Sequence, residues 1–187
     1  DEVDRSPPSA GAEGDPVNLG RKRSTTFWNR CVFLTSTPTV KGVSRIEHEF
    51  DQSDQRYYFV PCPHCSHAQR LKWSNVQWHK DDKGEALPDT AGYVCDQCGA
   101  LWSDVQRQVA IRHGEWRVTN PEATGRAGFH LSELYSPWST MADMVRAFLD
   151  AKGNPELLKT WVNTTLGETW EDRGDQVDHN ALYARRT

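Results

Sequence analysis

Pro61-Cys62-Pro63-His64-Cys65 and Cys95-Asp96-Gln97-Cys98-Gly99 are two C-x-x-C knuckles, with 29 residues between Cys65 and Cys95. A C-x-x-C turn lets two thiolates converge on one ion while backbone amides point at the sulfurs. Two such turns complete the all-sulfur tetrahedron that zinc prefers. A short strand-like run leads into each knuckle: Tyr57-Tyr58-Phe59-Val60 before the first and Tyr93-Val94 before the second. Strand, knuckle, returning strand, then the same again is the plan of a zinc ribbon. Cys62, Cys65, Cys95 and Cys98 are therefore predicted to hold a structural Zn²⁺. Four cysteines close the shell and leave no open position for catalysis. His64 and His67 lie beside the first knuckle, but the set is complete without them.

Working outward, the fifth cysteine, Cys31, precedes the apolar run Val32-Phe33-Leu34 and reads as a buried thiol. An odd total argues against a secreted disulfide framework and for a reducing compartment. Redox C-x-x-C pairs open a helix inside a βαβ unit, and neither pair here does. The chain has 187 residues, room for one domain with a real core or two small ones. Its mean hydropathy is −0.77, yet 8 Trp, 6 Phe and 5 Tyr supply the large apolar area that disordered chains lack. A net charge of −4 excludes a domain that holds DNA by bulk positive charge, though not local basic patches. No apolar run reaches the length of a membrane span, no signal segment opens the chain, and no membrane partner is expected. The first residue is Asp rather than Met, so the chain is expected to be a piece of something longer.

The acidic, Pro- and Gly-rich residues 1–20 are loop chemistry. A short helix fits residues 17–30, which carry Arg21, Lys22, Arg23 and Arg30 without an acid. Cys31–Ser36 reads as a buried parallel strand stopped by Thr37-Pro38. Residues 44–50 form a helical turn, the ribbon fills about 57–102 with a polar loop at 81–85, and strands are expected near 115–118 and 127–131. Ser139-Thr140 caps a helix over 141–152 that ends at Gly153-Asn154, and Pro155 starts the next helix. The tail from Glu168 to Asp178 reads as extended.

Asp1-Glu2-Val3-Asp4 resembles the Walker B end of a P-loop strand, where the first acid holds Mg²⁺ and the second orients the attacking water. About thirty residues on, the run from Val32 to Thr39 ends in hydroxyls. Thr35, Ser36 and Thr37 there suit a segment that passes nucleotide state onward by hydrogen bonding. The plain alternative is that they only turn the chain after a strand. No G-x-x-x-x-G-K-[ST] loop occurs, so this chain alone is not expected to hydrolyse ATP.

Several stretches together resemble the large terminase subunit of tailed phages, the lambda-like group. They are Asp1-Glu2-Val3-Asp4, Glu13-Gly14-Asp15-Pro16-Val17, Phe33 to Thr39, the first knuckle, Gly128-Phe129-His130, Leu134 to Trp138, and above all Trp161-Val162-Asn163-Thr164-Thr165-Leu166-Gly167-Glu168-Thr169-Trp170. The resemblance implies an ATP- and Mg²⁺-dependent motor and endonuclease that cuts concatemeric viral DNA and packs it into a procapsid in the host cytoplasm. Its partners would be double-stranded viral DNA, a small terminase subunit, the portal and further copies of itself.

It implies an α/β fold: a partial P-loop ATPase sheet over residues 1–52, a mainly β four-cysteine zinc-ribbon region over 53–135, and a helical segment over 136–187 leading into an RNase H-like nuclease. Asp1 and Glu2 would be the Walker B acids and Thr35, Ser36 and Thr37 the coupling segment. The phosphate-binding loop would lie before residue 1 and the first nuclease Asp after residue 187.

Two other readings compete: a non-enzymatic nucleic-acid-binding zinc ribbon, and a helicase-type ATPase, for which Arg112, Arg117 and Arg126 lie in no recognisable frame. Arg21, Lys22, Arg23 and Arg30, with Trp28, are candidate DNA contacts, and Arg56, Arg70 and Lys72 flank the ribbon. Glu133, Glu168, Glu171 and Asp172 read as a solvated acidic set, and His130 as a packed histidine.

Overall fold

A computed structural model describes residues 1–171. Two helices lie in the first third, α1 (Pro16–Arg23) and α2 (Arg45–Asp51). Asp15 and Ser44 cap their N-termini by accepting backbone N–H bonds, and Pro16 occupies the first helical position, where a missing N–H costs nothing. Then come β1 (Arg56–Pro61), β2 (Ala68–Arg70), β3 (Val76–Lys80), β4 (Ala86–Val94) and β5 (Leu101–Trp102). They are followed by α3 (Asp104–Arg112), β6 (Glu115–Val118), β7 (Phe129–His130), α4 (Met141–Ala151) and α5 (Pro155–Trp161). Helix α5 runs on as a π-helical turn over Val162–Leu166.

The strands form two sheets. In one, β1 pairs antiparallel with β2 and β6 and parallel with β7; in the other, the order is β3-β4-β5, all antiparallel. The first knuckle links β1 to β2 and the second links β4 to β5, so each sheet contributes one half of the cysteine centre. Between the sheets lies one core: Val60, Cys62, Leu71, Tyr93, Cys95, Trp102, Leu134, Met141, Met144 and Val145 are all buried in it. Helix α4 presents Met141, Met144 and Val145 to that core at helical spacing, with a Thr140–Asp143 capping box fixing its start.

The sequence did not point to α3, although Ser103 and Gln106 form a capping box at its start. Its Arg107 is fully buried, donating to Asp104 at 3.0 Å, to the carbonyls of Ser136 at 3.3 Å and Ser139 at 2.7 Å, and to that of Leu134. This one guanidinium holds the loop that leads into α4.

Two expectations fail. Cys31–Ser36 forms no strand, and Val32 and Phe33 are exposed, Phe33 by 80%. A buried parallel strand needs neighbours on its edges and layers on its faces. Here the segment is tied to the opening residues, the Val3 amide donating to the Thr35 carbonyl at 3.2 Å, and among the described residues no strand pairs with it. Cys31 is accordingly exposed, not buried. The expected helices at 44–50, 141–152 and from Pro155 are present, as are the strands on both sides of each knuckle, while the helix expected over 17–30 ends at Arg23 and leaves Arg30 outside it. Most of the acidic tail, including Asp172, lies outside the described residues.

Candidate functional site

The four knuckle cysteines converge. Their sulfurs all lie within 4.8 Å of one another, with Cys62 and Cys98 at 3.8 Å and Cys65 and Cys95 at 3.9 Å. Metal–sulfur bonds of about 2.3 Å at tetrahedral angles would place sulfurs roughly 3.8 Å apart, so the donor set fits a tetrahedral ion. Cys62 and Cys95 face the core while Cys65 and Cys98 are exposed. The backbone amide of His64 donates to Cys62 Sγ at 3.3 Å.

Burial alone would raise the Cys95 thiol. The amides of Cys98 and Gln97 and the side chain of Gln69 outweigh that and bring it down to about 6. At Cys65 the His67 amide lowers the thiol, but burial and the sulfurs of Cys98, Cys62 and Cys95 push it up to about 12. Crowded sulfurs cannot all ionise without a cation, and a bound ion removes that conflict.

No local sequence signal marks Gln69. It is 2% exposed, and its Nε2 donates to Cys95 Sγ at 3.3 Å while its Oε1 accepts from the Asp96 amide at 3.0 Å. From β2 it reaches across to the second knuckle and fixes one half of the centre against the other. His67 and Asp96 add an exposed contact at 3.4 Å between the knuckles, and His64 is exposed.

The acidic start meets the hydroxyl run. Thr35 Oγ1 donates to Asp1 Oδ1 at 2.6 Å, and Thr37 Oγ1 lies 3.4 and 3.5 Å from the two Glu2 carboxylate oxygens. Ser36 Oγ accepts from the Asp4 amide at 3.1 Å. Glu2 adopts a left-handed conformation with φ of 51°, unusual for a side chain of its size. Asp4, one turn on, accepts from Thr39 Oγ1 at 3.0 Å and from the Ile46 amide at 2.8 Å. Thr39 in turn is held from the far end of the chain. Its carbonyl accepts from the Trp170 amide and from Asn163 Nδ2, both at 2.8 Å, and Val40 and Trp170 form a parallel bridge.

The basic stretch from Arg21 to Arg30 is partly spent on local contacts. Arg21 donates to Glu49 at 2.7 Å, holding that carboxyl below its usual range, and Arg30 donates to the Thr25 carbonyl at 3.2 Å. Lys22 and Arg23 are exposed on α1, and Trp28 is 95% exposed beyond it. Of the other acids, Glu133 accepts from Ser139 and Glu171 pairs with Lys41 at 2.9 Å, and the cysteine cluster is the one group found among the described residues that could hold a metal ion. His130 is packed as expected: burial holds its imidazole below the usual range, and a ring nitrogen lies 3.1 Å from the Gly167 carbonyl.

Fold and site together define an α/β chain whose core is organised around a four-cysteine centre, with an acid–hydroxyl cluster at one end. The chain belongs to the phage terminase large subunit gpA family. Residues 1–116 match the family model of its ATPase domain, and residues 126–187 match that of its endonuclease domain. The large terminase subunit of Enterobacteria phage P21 is 32% identical over 97% of this chain, and that of Escherichia phage lambda is 29% identical over 93%. The chain spans 31% and 30% of those relatives' lengths. No solved structure matches it significantly. Among the described residues, no helix is long and apolar enough to cross a membrane.

Proposed function

We propose that this chain is the central part of a viral DNA-packaging motor, a large terminase subunit that drives DNA with ATP and cuts concatemers into a procapsid. The two family matches, ATPase then endonuclease in one chain, carry that reading. A stand-alone nucleic-acid-binding ribbon is not favoured, because such a module has no need of either. The working division is an ATPase part at 1–52, a ribbon region at 53–135 and a nuclease lead-in at 136–187. The parent would bind double-stranded viral DNA, a small terminase subunit, the portal and its own copies, in the host cytoplasm.

Asp1 and Glu2 are assigned as the Walker B acids of that motor. ATP would supply the reacting phosphate there and Mg²⁺ would neutralise its charge; the chain's own part is to hold the two carboxylates in place. The hydrogen bonds of Thr35 to Asp1 and of Thr37 to Glu2 support this assignment, because a change at either acid is felt at once in the hydroxyl segment. Residues 35–37 are assigned as the coupling segment. Cys62, Cys65, Cys95 and Cys98 are assigned to a structural Zn²⁺, the all-sulfur set and spacing supporting zinc over harder ions. Arg21, Lys22, Arg23 and Arg30 are assigned to the DNA backbone. Without a phosphate-cradling loop this chain alone should be inactive, so the test uses the complete reading frame. DNA-stimulated ATP hydrolysis is measured for the natural protein and for Glu2→Gln. A loss of about 100-fold is expected; an unchanged rate would overturn the assignment.

A further inference from the structure

Strands β2 and β7 share one edge of β1. Phe59 pairs with Arg70 and Tyr57 with His130, while the other edge of β1 is taken by β6. Because β2 is antiparallel and β7 parallel to β1, the two short strands run toward each other and leave a gap opposite Tyr58. Tyr135 fills part of it: its hydroxyl donates to the Tyr58 carbonyl at 2.7 Å and accepts from the Leu71 amide at 2.8 Å. What remains is a pocket of about 30 Å³ whose lining includes Arg70, Lys72, His130, Ser132 and Glu168.

The groups there are unevenly satisfied. The Arg70 guanidinium lies 3.9 Å from the centroid of the Tyr57 ring, which fixes its orientation. Among the described residues neither Arg70 nor Lys72 has an ion-pair partner. Ser132 Oγ is buried and has no hydrogen-bond partner, a costly state for a hydroxyl. Burial holds the His130 imidazole below its usual range. Glu168, exposed at the rim, is the one carboxylate among the lining residues, against two cations. On the same sheet face Arg117, which pairs with Tyr57, lies 5.1 Å from the Phe59 ring and continues the row, its charge shared with Glu115.

We propose that Arg70, Lys72 and the Ser132 hydroxyl form a seat for one phosphate of a nucleic-acid backbone, apart from both the acidic cluster and the cysteine centre. The pocket has roughly the volume of one water, so it admits a single phosphate oxygen and no base or sugar. The buried hydroxyl donates to that oxygen, and the two cations hold the oxygens left outside. Such a seat positions a strand without reading its sequence. The inference rests on the reading of the parent as a DNA-acting protein.

The test is fluorescence anisotropy of a short duplex with this chain across a range of salt concentrations. The double variant Arg70→Gln/Lys72→Ala should lower the slope of log K against log salt by about one. Ser132→Ala should leave the slope unchanged and weaken binding about tenfold, while the free chain unfolds at the same or a higher temperature, because an unsatisfied hydroxyl is gone. Binding with slope and affinity unchanged in both variants overturns the seat alone and leaves α1 as the contact. A natural chain that binds no duplex even at low salt overturns the seat together with the DNA-contact reading. Inorganic phosphate is the second probe: if it binds in a Ser132-dependent way while DNA affinity is unmoved, the seat belongs to a free anion, and the nucleic-acid source is wrong.

Discussion

Asn163 donates through Nδ2 to the carbonyl of Thr39, 124 residues earlier, at 2.8 Å, and to that of Glu168 at the same distance. Asn163 is buried in the π-helical turn after α5, and its amide stitches the end of the described chain to the hydroxyl segment near its start. The region matched by the endonuclease family model is thus packed against the region matched by the ATPase model. Thr169 Oγ1 donating to Glu47 at 2.7 Å and the Lys41–Glu171 pair extend the seam.

Removing that amide should loosen both ends together. Asn163→Ala leaves two carbonyls with one donor fewer each, a cost of about 1–3 kcal/mol. Asn163→Asp sets a carboxylate against them and should cost more. Urea unfolding of the two variants checks the order; equal stability of both with the natural chain would show that the seam carries no load.

Arg107 has no exposed side-chain area and serves three carbonyls and Asp104. Arg107→Met preserves the stem but strands those acceptors, and should cost about 3 kcal/mol or more. Arg107→Lys keeps the charge at a single point and cannot reproduce the fork, so it should restore less than half of the loss. Denaturant midpoints of the two variants settle the comparison.

The legible parts of this chain were those whose signal is local. The knuckles announced themselves by spacing, and α4 and α5 by Thr140, Pro155 and the stripe from Met141 to Leu149. The strand expected at Cys31–Ser36 failed because a run such as Val32-Phe33-Leu34 records a preference for burial, not the presence of neighbours to bury it. Helix α3 was missed although Ser103 and Gln106 spelled its start, because its polar surface gives only a weak periodic stripe. The partners of Gln69, Arg107 and Asn163 were invisible for a different reason: each acts across the fold, on Cys95, on the Leu134–Ser139 loop and on Thr39, and no local pattern encodes such a partner.

Stability should be lost in two separate windows as the pH is lowered. His130 is held below its usual range by burial, so the unfolded chain takes up a proton first. Its contribution is complete above about pH 6.5 and is lost as the pH drops from there through its lowered folded value. Glu49 is held low by its hydrogen bond from Arg21, so its contribution persists until about pH 4.3 and is lost below that. His130→Gln keeps a donor toward Gly167 and should flatten the profile between pH 7 and 5 only. An unchanged slope there would remove His130 from the explanation.

Cys31 should be the reactive thiol of the metal-loaded chain. It is exposed, whereas the other four sulfurs would be bound to the ion. Alkylation followed by peptide mapping should label Cys31 rapidly and the knuckle cysteines only after chelation. Rapid labelling of Cys65 or Cys98 before chelation would argue against a closed four-sulfur shell.

That one Zn²⁺ unites the two sheets is the claim on which the rest depends. A structural zinc contributes on the order of 10 kcal/mol, as much as a whole domain's stability, and Cys62 and Cys95 lie in the same core as Leu134, Met144 and Val145. Native mass spectrometry of the purified chain, with tryptophan circular dichroism before and after chelation, tests it most directly. We expect one zinc per chain, and loss of both the metal and the near-ultraviolet signal in Cys95→Ser and on chelation. A chain that carries no zinc, or keeps its tertiary signal after giving it up, would contradict the account.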